Sequence, residues 1–199
     1  MNNKSMNNKR MNNMKWSVRH ITLAAAIAAA YIVLTLPMAQ FAFGPVQFRL
    51  AEALAVLAVL TPAAIPGLFL GCLLANTLNP QSLGLIDIVF GSLATLVSAW
   101  LTWRLTQSIK MAKSDRSEAQ TGTKSRLKGF ERVIVLVPPI VVNALVVGFY
   151  LPFLLPDQAI TVGLVAGFML SILLSQSVVI LLIGLPLLLA LEKAAPAFL

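Results

Sequence analysis

The chain has 199 residues, of which 58% are hydrophobic and 11% charged, and its mean hydropathy is +0.86. A soluble domain of this length is about half apolar and about a quarter charged, so the composition excludes that class and indicates an integral membrane protein. The net charge of +8 does not mark a nucleic-acid surface, because the basic residues gather before the first apolar segment and in one interior loop, as the positive-inside rule gives for cytoplasmic segments.

The first residues, MNNKSMNNKRMNNMKW, repeat a unit of Met, Asn, Asn and a mostly basic tail. Polar sequence of low complexity cannot bury enough apolar area to offset ordering, and the run has no apolar core for a signal peptide. Residues 1–18 therefore read as a disordered, Asn-rich cytoplasmic tail, followed by a membrane domain over 19–199.

A helix needs about 20 apolar residues to cross roughly 30 Å of hydrocarbon. Residues 21–39 supply the first. The apolar run over 50–79 is too long for one span and is interrupted by TPAAIP at 61–66, whose prolines break helices, so it predicts two short helices and a tight turn. Residues 84–106, 133–151 and 159–191 predict three more, the last long enough to tilt or to extend beyond the bilayer. The sequence thus predicts an all-α integral membrane protein with six transmembrane helices. An even number places both termini on one side, with Lys193 and a basic loop of about 107–131, holding Lys110, Lys113 and Lys124, on the cytoplasmic side. The connections near 40–49, 79–84 and 151–158 then face outward and carry almost no Lys or Arg.

Polar residues collect at that outer level. FGPVQFRLAEAL, residues 43–54, brings Gln47, Arg49 and Glu52 to the start of the second helix. Arg49 and Glu52 are three apart and share a helical face, so one reading is a structural ion pair. Asn76 and Asn79 end the third helix, Gln81 follows, and Asp87 opens the fourth. A carboxylate there is a cap favoured by the helix dipole or a ligand contact. Asn143 lies within the fifth span, beyond Pro138 and Pro139, which also fall inside it. It either bonds a neighbouring helix or points into a pocket, and Gln176 in the sixth reads the same two ways. Polar groups from several helices at one depth suggest a cavity, since intramembrane polar residues face the bundle interior.

Small residues form a second pattern. AAAIAAA offers the pairs Ala24 with Ala28 and Ala25 with Ala29, and Gly67, Gly71 and Ala75 give the third helix a similar stripe. Such pairs allow close approach of backbones within the bundle or, on the first helix, against a partner. Several chemistries are excluded. His20 is the single histidine, at the inner end of the first helix, so neither a His-rich metal site nor a His-based triad is expected. No P-loop and no paired GxGxxG is present, so the chain is not expected to bind ATP itself and energy must come from elsewhere; no catalytic residue, metal or cofactor is assigned. The single Cys72 reads as a small packing residue.

In chain order, FGPVQFRLAEAL, TPAAIPGLFLGCLLAN, DIVFGSLATL and PPIVVNALVVG resemble the QueT family of queuosine-precursor transporters, substrate-binding S-components of energy-coupling factor (ECF) transporters. The resemblance runs from about Ala24 to Tyr150 and more weakly through the last helix. It implies an S-component-like six-helix bundle, a site open to the outside, and partners: a membrane-embedded T-component, on which the Ala24 to Ala30 helix docks, and two cytoplasmic ATPases. The matching blocks make Gln47, Arg49, Glu52, Asn76, Asp87 and Asn143 the candidate substrate contacts. Ala58 stands where the family pattern leads us to expect a proline.

The implied ligand is a 7-deazaguanine, with adjacent N–H donors for a carboxylate and a carbonyl for Asn, Gln or Arg. Glu52 or Asp87 would take the donor edge, with Phe43, Phe48 or Tyr150 stacking on the ring. An S-component for another vitamin, such as riboflavin or thiamine, is the alternative. An intramembrane enzyme would need a nucleophile and a base at one depth, and the lack of a buried histidine argues against it; a scaffold without ligand would leave the convergent polar residues without purpose.

Overall fold

A computed structural model describes residues 17–38, 48–79, 83–117, 127–155 and 159–194. Most of the Asn-rich tail, together with Phe43, Gln47 and Gln81 and the middle of the basic loop, lies outside the described residues. Within them the chain is helical. α1 (Val18–Thr35) continues as a short 3-10 turn, Leu36–Met38. α2 (Leu50–Leu60) begins as a 3-10 helix, Leu50–Val56, and ends as an α-helical turn. α3 (Ala64–Leu78) and α4 (Leu85–Ser117) follow, then α5 (Gly129–Leu154) and α6 (Val162–Ala194).

Four of these, α1, α4, α5 and α6, are long and apolar enough to cross a bilayer. The other two come from the run that the sequence divides at TPAAIP. At about 1.5 to 2.0 Å per residue each is roughly 20 Å long, less than the roughly 30 Å hydrocarbon layer. α2 can be short because protein surrounds it: Ala51 to Val56, Ala58 and Val59 are all buried. The turn between α2 and α3 forms as expected, with Thr61 Oγ1 accepting from the Ala63 N–H at 3.3 Å and Pro66 in the first turn of α3, where no helical N–H is lost.

Two features differ from the sequence expectation. α4 does not stop at 106 but runs to Ser117, and α5 already starts at Gly129, so the expected 107–131 loop is helical at both ends. Hydropathy marks where a helix leaves lipid, not where its hydrogen-bond ladder ends. QSIKMAK consists largely of good helix formers, and its Lys113 is joined to Glu131 of α5 by an ion pair. The second difference concerns Pro138 and Pro139. They do not interrupt a continuous helix: α5 breaks at Leu136, and the prolines open its second segment, Val137–Leu154. At the first positions of a helix a missing N–H costs nothing.

Glycines set the closest helix contacts. A Cβ on Gly71 would stand 2.6 Å from Tyr31 Cβ, and one on Gly67 would stand 2.8 Å from the Ala24 carbonyl oxygen. The small stripe of α3 therefore receives α1 on its Ala24, Ile27, Ala28 and Tyr31 face, all buried. Gly148 of α5 packs in the same way on Met169 of α6, where a Cβ would lie 2.7 Å from Cα. A π-helical segment, Val179–Gly184, interrupts α6, and Gly184 lies against Ala53 and Val56 of α2.

Replacing Gly71 by Leu forces α1 off α3 and is expected to cost at least the roughly 1 to 3 kcal/mol typical of overpacking. Gly167→Ala, whose added methyl meets nothing within 4 Å, should leave stability unchanged or higher. Thermal unfolding of the purified protein in detergent checks both, and equal melting temperatures for Gly71→Leu and wild type would contradict this packing.

Candidate functional site

Charged, amide and phenol side chains from five helices meet inside the bundle. Arg49, at the N-terminus of α2, is 4% exposed, and Asp87, in the first turn of α4, is fully buried. They face each other at 3.6 Å. The pairing formed here crosses from α2 to α4 instead of running along α2 to Glu52, because the chain at Arg49 is extended (φ −92°, ψ 98°) and enters the helix only at Leu50. Asp87 Oδ1 also accepts from the Tyr150 hydroxyl of α5 at 2.7 Å. Its backbone carbonyl accepts from Asn76 Nδ2 of α3 at 3.3 Å. Asp87 thus lies at a helix start, as a cap would, and also anchors a cross-helix group.

Glu52 centres a second group. It is 1% exposed, and each carboxylate oxygen has its own donor: Oε1 accepts from the Tyr31 hydroxyl at 2.7 Å and Oε2 from Asn143 Nδ2 at 3.2 Å. Asn143 and Tyr150 are two turns apart on α5, a rise of about 10 Å, so the two carboxylates lie at two depths along one face of that helix. Cys72 lies between the groups, with Arg49 Nη1 at 3.9 Å and Asn76 Nδ2 at 3.8 Å from its sulfur.

The charges of the two groups differ. Asp87 shares the positive charge of Arg49, while the hydrogen bonds to Glu52 come from a phenol and an amide, which carry no charge. A buried carboxylate held by neutral donors lacks the compensation that an ion pair gives, and groups of this kind are costly unless something complements them. Acceptor capacity also remains: Asp87 Oδ2 is buried and takes no hydrogen bond among the described residues, and neither does Gln176 Oε1 of α6. The space beside the Asp87 group is kept by Gly91, one turn after Asp87. A Cβ there would meet Asn76 Nδ2 at 3.2 Å and the Tyr150 oxygen at 3.3 Å.

Of the residues singled out from the sequence, Arg49, Glu52, Asn76, Asp87 and Asn143 are buried together, and Gln47 lies outside the described residues. Asn143 bonds a neighbouring helix, and the atom it bonds belongs to Glu52. The alanines divide: Ala24 and Ala28 are buried against α3, while Ala25 and Ala29 are exposed. Sequence reasoning missed Tyr31 and gave Tyr150 a stacking role. Tyr150 does pack on Phe90, with ring centroids 6.1 Å apart, but its hydroxyl bonds Asp87. The signal was available, since the chain has only two tyrosines and a phenol within an apolar span needs an acceptor.

Residues 21–193 match the model of the QueT transporter family. The Queuosine precursor transporter QueT of Lactococcus lactis subsp. cremoris (strain MG1363) is 34% identical over 79 residues, which cover 39% of this chain and 45% of that protein. The aligned part thus spans less than half the length of this curated relative. No solved structure matches the chain.

Arg49→Met leaves Asp87 buried without its cation, which is expected to cost about 3 to 5 kcal/mol. Adding Asp87→Leu should recover much of that loss. Melting temperatures of the two single variants and the double variant give the coupling, and additive losses would show that the pair does not hold α2 to α4.

Proposed function

This chain belongs to the QueT transporter family, and from that premise we propose that it is the substrate-binding S-component through which an ECF transporter takes up a queuosine precursor of the 7-deazaguanine type. The family makes it a multi-pass transporter of the cell membrane and not an enzyme. The finer reading rests on one observation: two buried carboxylates from different helices, Glu52 and Asp87, lie within one bundle with acceptor capacity unused at Asp87 Oδ2.

A 7-deazaguanine offers what these groups lack. Its ring and exocyclic N–H groups form an adjacent donor pair that a carboxylate accepts. In this reading Glu52 or Asp87 takes that edge. Asn76 and Asn143, and Gln47 from outside the described residues, complete the polar fit. Arg49 pairs with Asp87 and orients it, and the Tyr150 and Phe90 rings supply an aromatic wall. The hydrogen bonds to Glu52 come from neutral donors, Tyr31 and Asn143, which suits a ligand that is rich in donors or positively charged.

The remaining features follow the same reading. Six membrane-embedded helices with both termini cytoplasmic put the carboxylates in the outer half. The positive-inside rule supports this orientation, since Lys113, Lys128, Arg132 and Lys193 lie at the ends of α4, α5 and α6 away from Asp87. The T-component would dock on the exposed face of α1, where Ala25 and Ala29 lie, and two cytoplasmic ATPases would drive transport. Ala24 and Ala28 serve that face from behind, as the seam that fixes α1 on α3.

Binding titration of the purified protein with a 7-deazaguanine tests the site. Glu52→Gln removes a charge-assisted acceptor and should weaken affinity by roughly tenfold or more, the effect of about 1.4 kcal/mol or more. Glu131→Gln, at the other end of the bundle, should bind like wild type. Equal affinities for Glu52→Gln and wild type would remove Glu52 from the site.

A further inference from the structure

α4 carries a second feature, far from the carboxylates. Arg104 lies 17 residues beyond Asp87, so at 1.5 Å per residue it is about 26 Å further along the helix. With a hydrocarbon layer of about 30 Å, that puts Arg104 near the opposite membrane boundary. Trp100 and Trp103 precede it within one turn, and indoles favour this level. The Arg104 guanidinium lies 5.5 Å from the centre of the Trp100 ring.

Beside it, between α4 and α5, is an open groove of about 570 Å³. Its walls are apolar, formed by Leu101 and Leu105 of α4 and by Ile134, Val137 and Val141 of α5, and its polar lining is Arg104 and Ser108. The groove exists because α5 breaks at Leu136 and restarts with prolines, so no continuous helix lies along α4 here. Arg104 also differs from neighbouring cations. Lys113 is paired with Glu131, and Arg132 with Glu192 at 2.8 Å. Among the described residues Arg104 makes no ion pair.

We propose that this groove is a binding site for one anionic phospholipid, with an acyl chain along the α4–α5 walls and the phosphate on the Arg104 guanidinium, while the Ser108 hydroxyl donates to the Arg104 backbone carbonyl at 3.1 Å. An apolar channel ending in one uncompensated cation at the depth of the headgroups matches a lipid in both chemistry and position. A soluble anion would find the cation but not the walls, and a zwitterionic lipid would fit the walls but bring its own positive charge. The Trp100 ring holds the guanidinium stem at the rim, leaving its N–H edge for the headgroup. This site does not depend on what the outer carboxylates bind.

Native mass spectrometry of the full chain in detergent, with dioleoyl phosphatidylglycerol and dioleoyl phosphatidylcholine at equal concentration, tests the proposal. Wild type should retain one phosphatidylglycerol in preference, by about fivefold, the roughly 1 kcal/mol that one basic residue gains near anionic lipid. R104A should bind the two lipids equally, K113A should keep the preference, and Val141→Trp, which fills the groove, should lose both. R104Q gives the same readout should R104A misfold. A preference that survives in R104A, or that falls equally in K113A, would overturn the site. So would displacement of the lipid by inorganic phosphate, or equal retention of both lipids by wild type, as expected if a partner helix covers the groove.

Discussion

A guanidinium moved out of water needs a counter-charge, and in this chain the pairing of Arg49 with Asp87 determines where the helices begin. Arg49 precedes α2 and Asp87 opens α4, so their contact fixes the starts of two helices at one level. Asn76 and Tyr150 then complete Asp87 from α3 and α5. The same pairing separates the roles of the two acids. With the arginine paired to Asp87, the hydrogen bonds to Glu52 come from the neutral donors Tyr31 and Asn143, which in the proposed reading suits it to a ligand that brings its own donors.

The packing serves this arrangement. Tyr31 reaches Glu52 only because α1 lies close against α3, and it lies close because Gly67 and Gly71 present bare backbone to Ala24, Ala28 and Tyr31 itself. The small-residue stripe therefore does more than bring two helices together, since it sets the position of a phenol that holds a buried carboxylate. α5 does the corresponding work on the other side, carrying Asn143 and Tyr150 to the two acids from one face. Its restart at Val137 gives that face a fixed origin and, at the far end of the bundle, opens the groove beside Arg104.

Much of the architecture was legible because its causes are local or compositional. Length and hydropathy give the helices, prolines at 61–66 divide the second run, and the scarcity of charged residues makes each buried one conspicuous. Pairings were not legible. Spacing on one helix suggested Arg49 with Glu52, but the extended backbone at Arg49 and the distant Asp87 decide the contact, and neither can be read from local periodicity. The helical ends of the basic loop were hidden for a related reason, since polarity shows where lipid ends while helix propensity and the Lys113–Glu131 pair decide where the helix ends. Tyr31 was hidden among alanines because an aromatic in an apolar run reads first as packing.

These relations describe a helical membrane protein with two buried acids at two depths, Asp87 paired with a cation and Glu52 held by neutral donors. Membership of the QueT family gives the class, and in the proposed reading Glu52, held by the neutral donors Tyr31 and Asn143, would accept from a donor-rich heterocycle. The most direct measurement is the identity of the small molecule that copurifies with the chain when it is released and analysed by mass spectrometry. The account predicts a 7-deazaguanine at close to one per protein. A flavin or a thiamine in its place would contradict it.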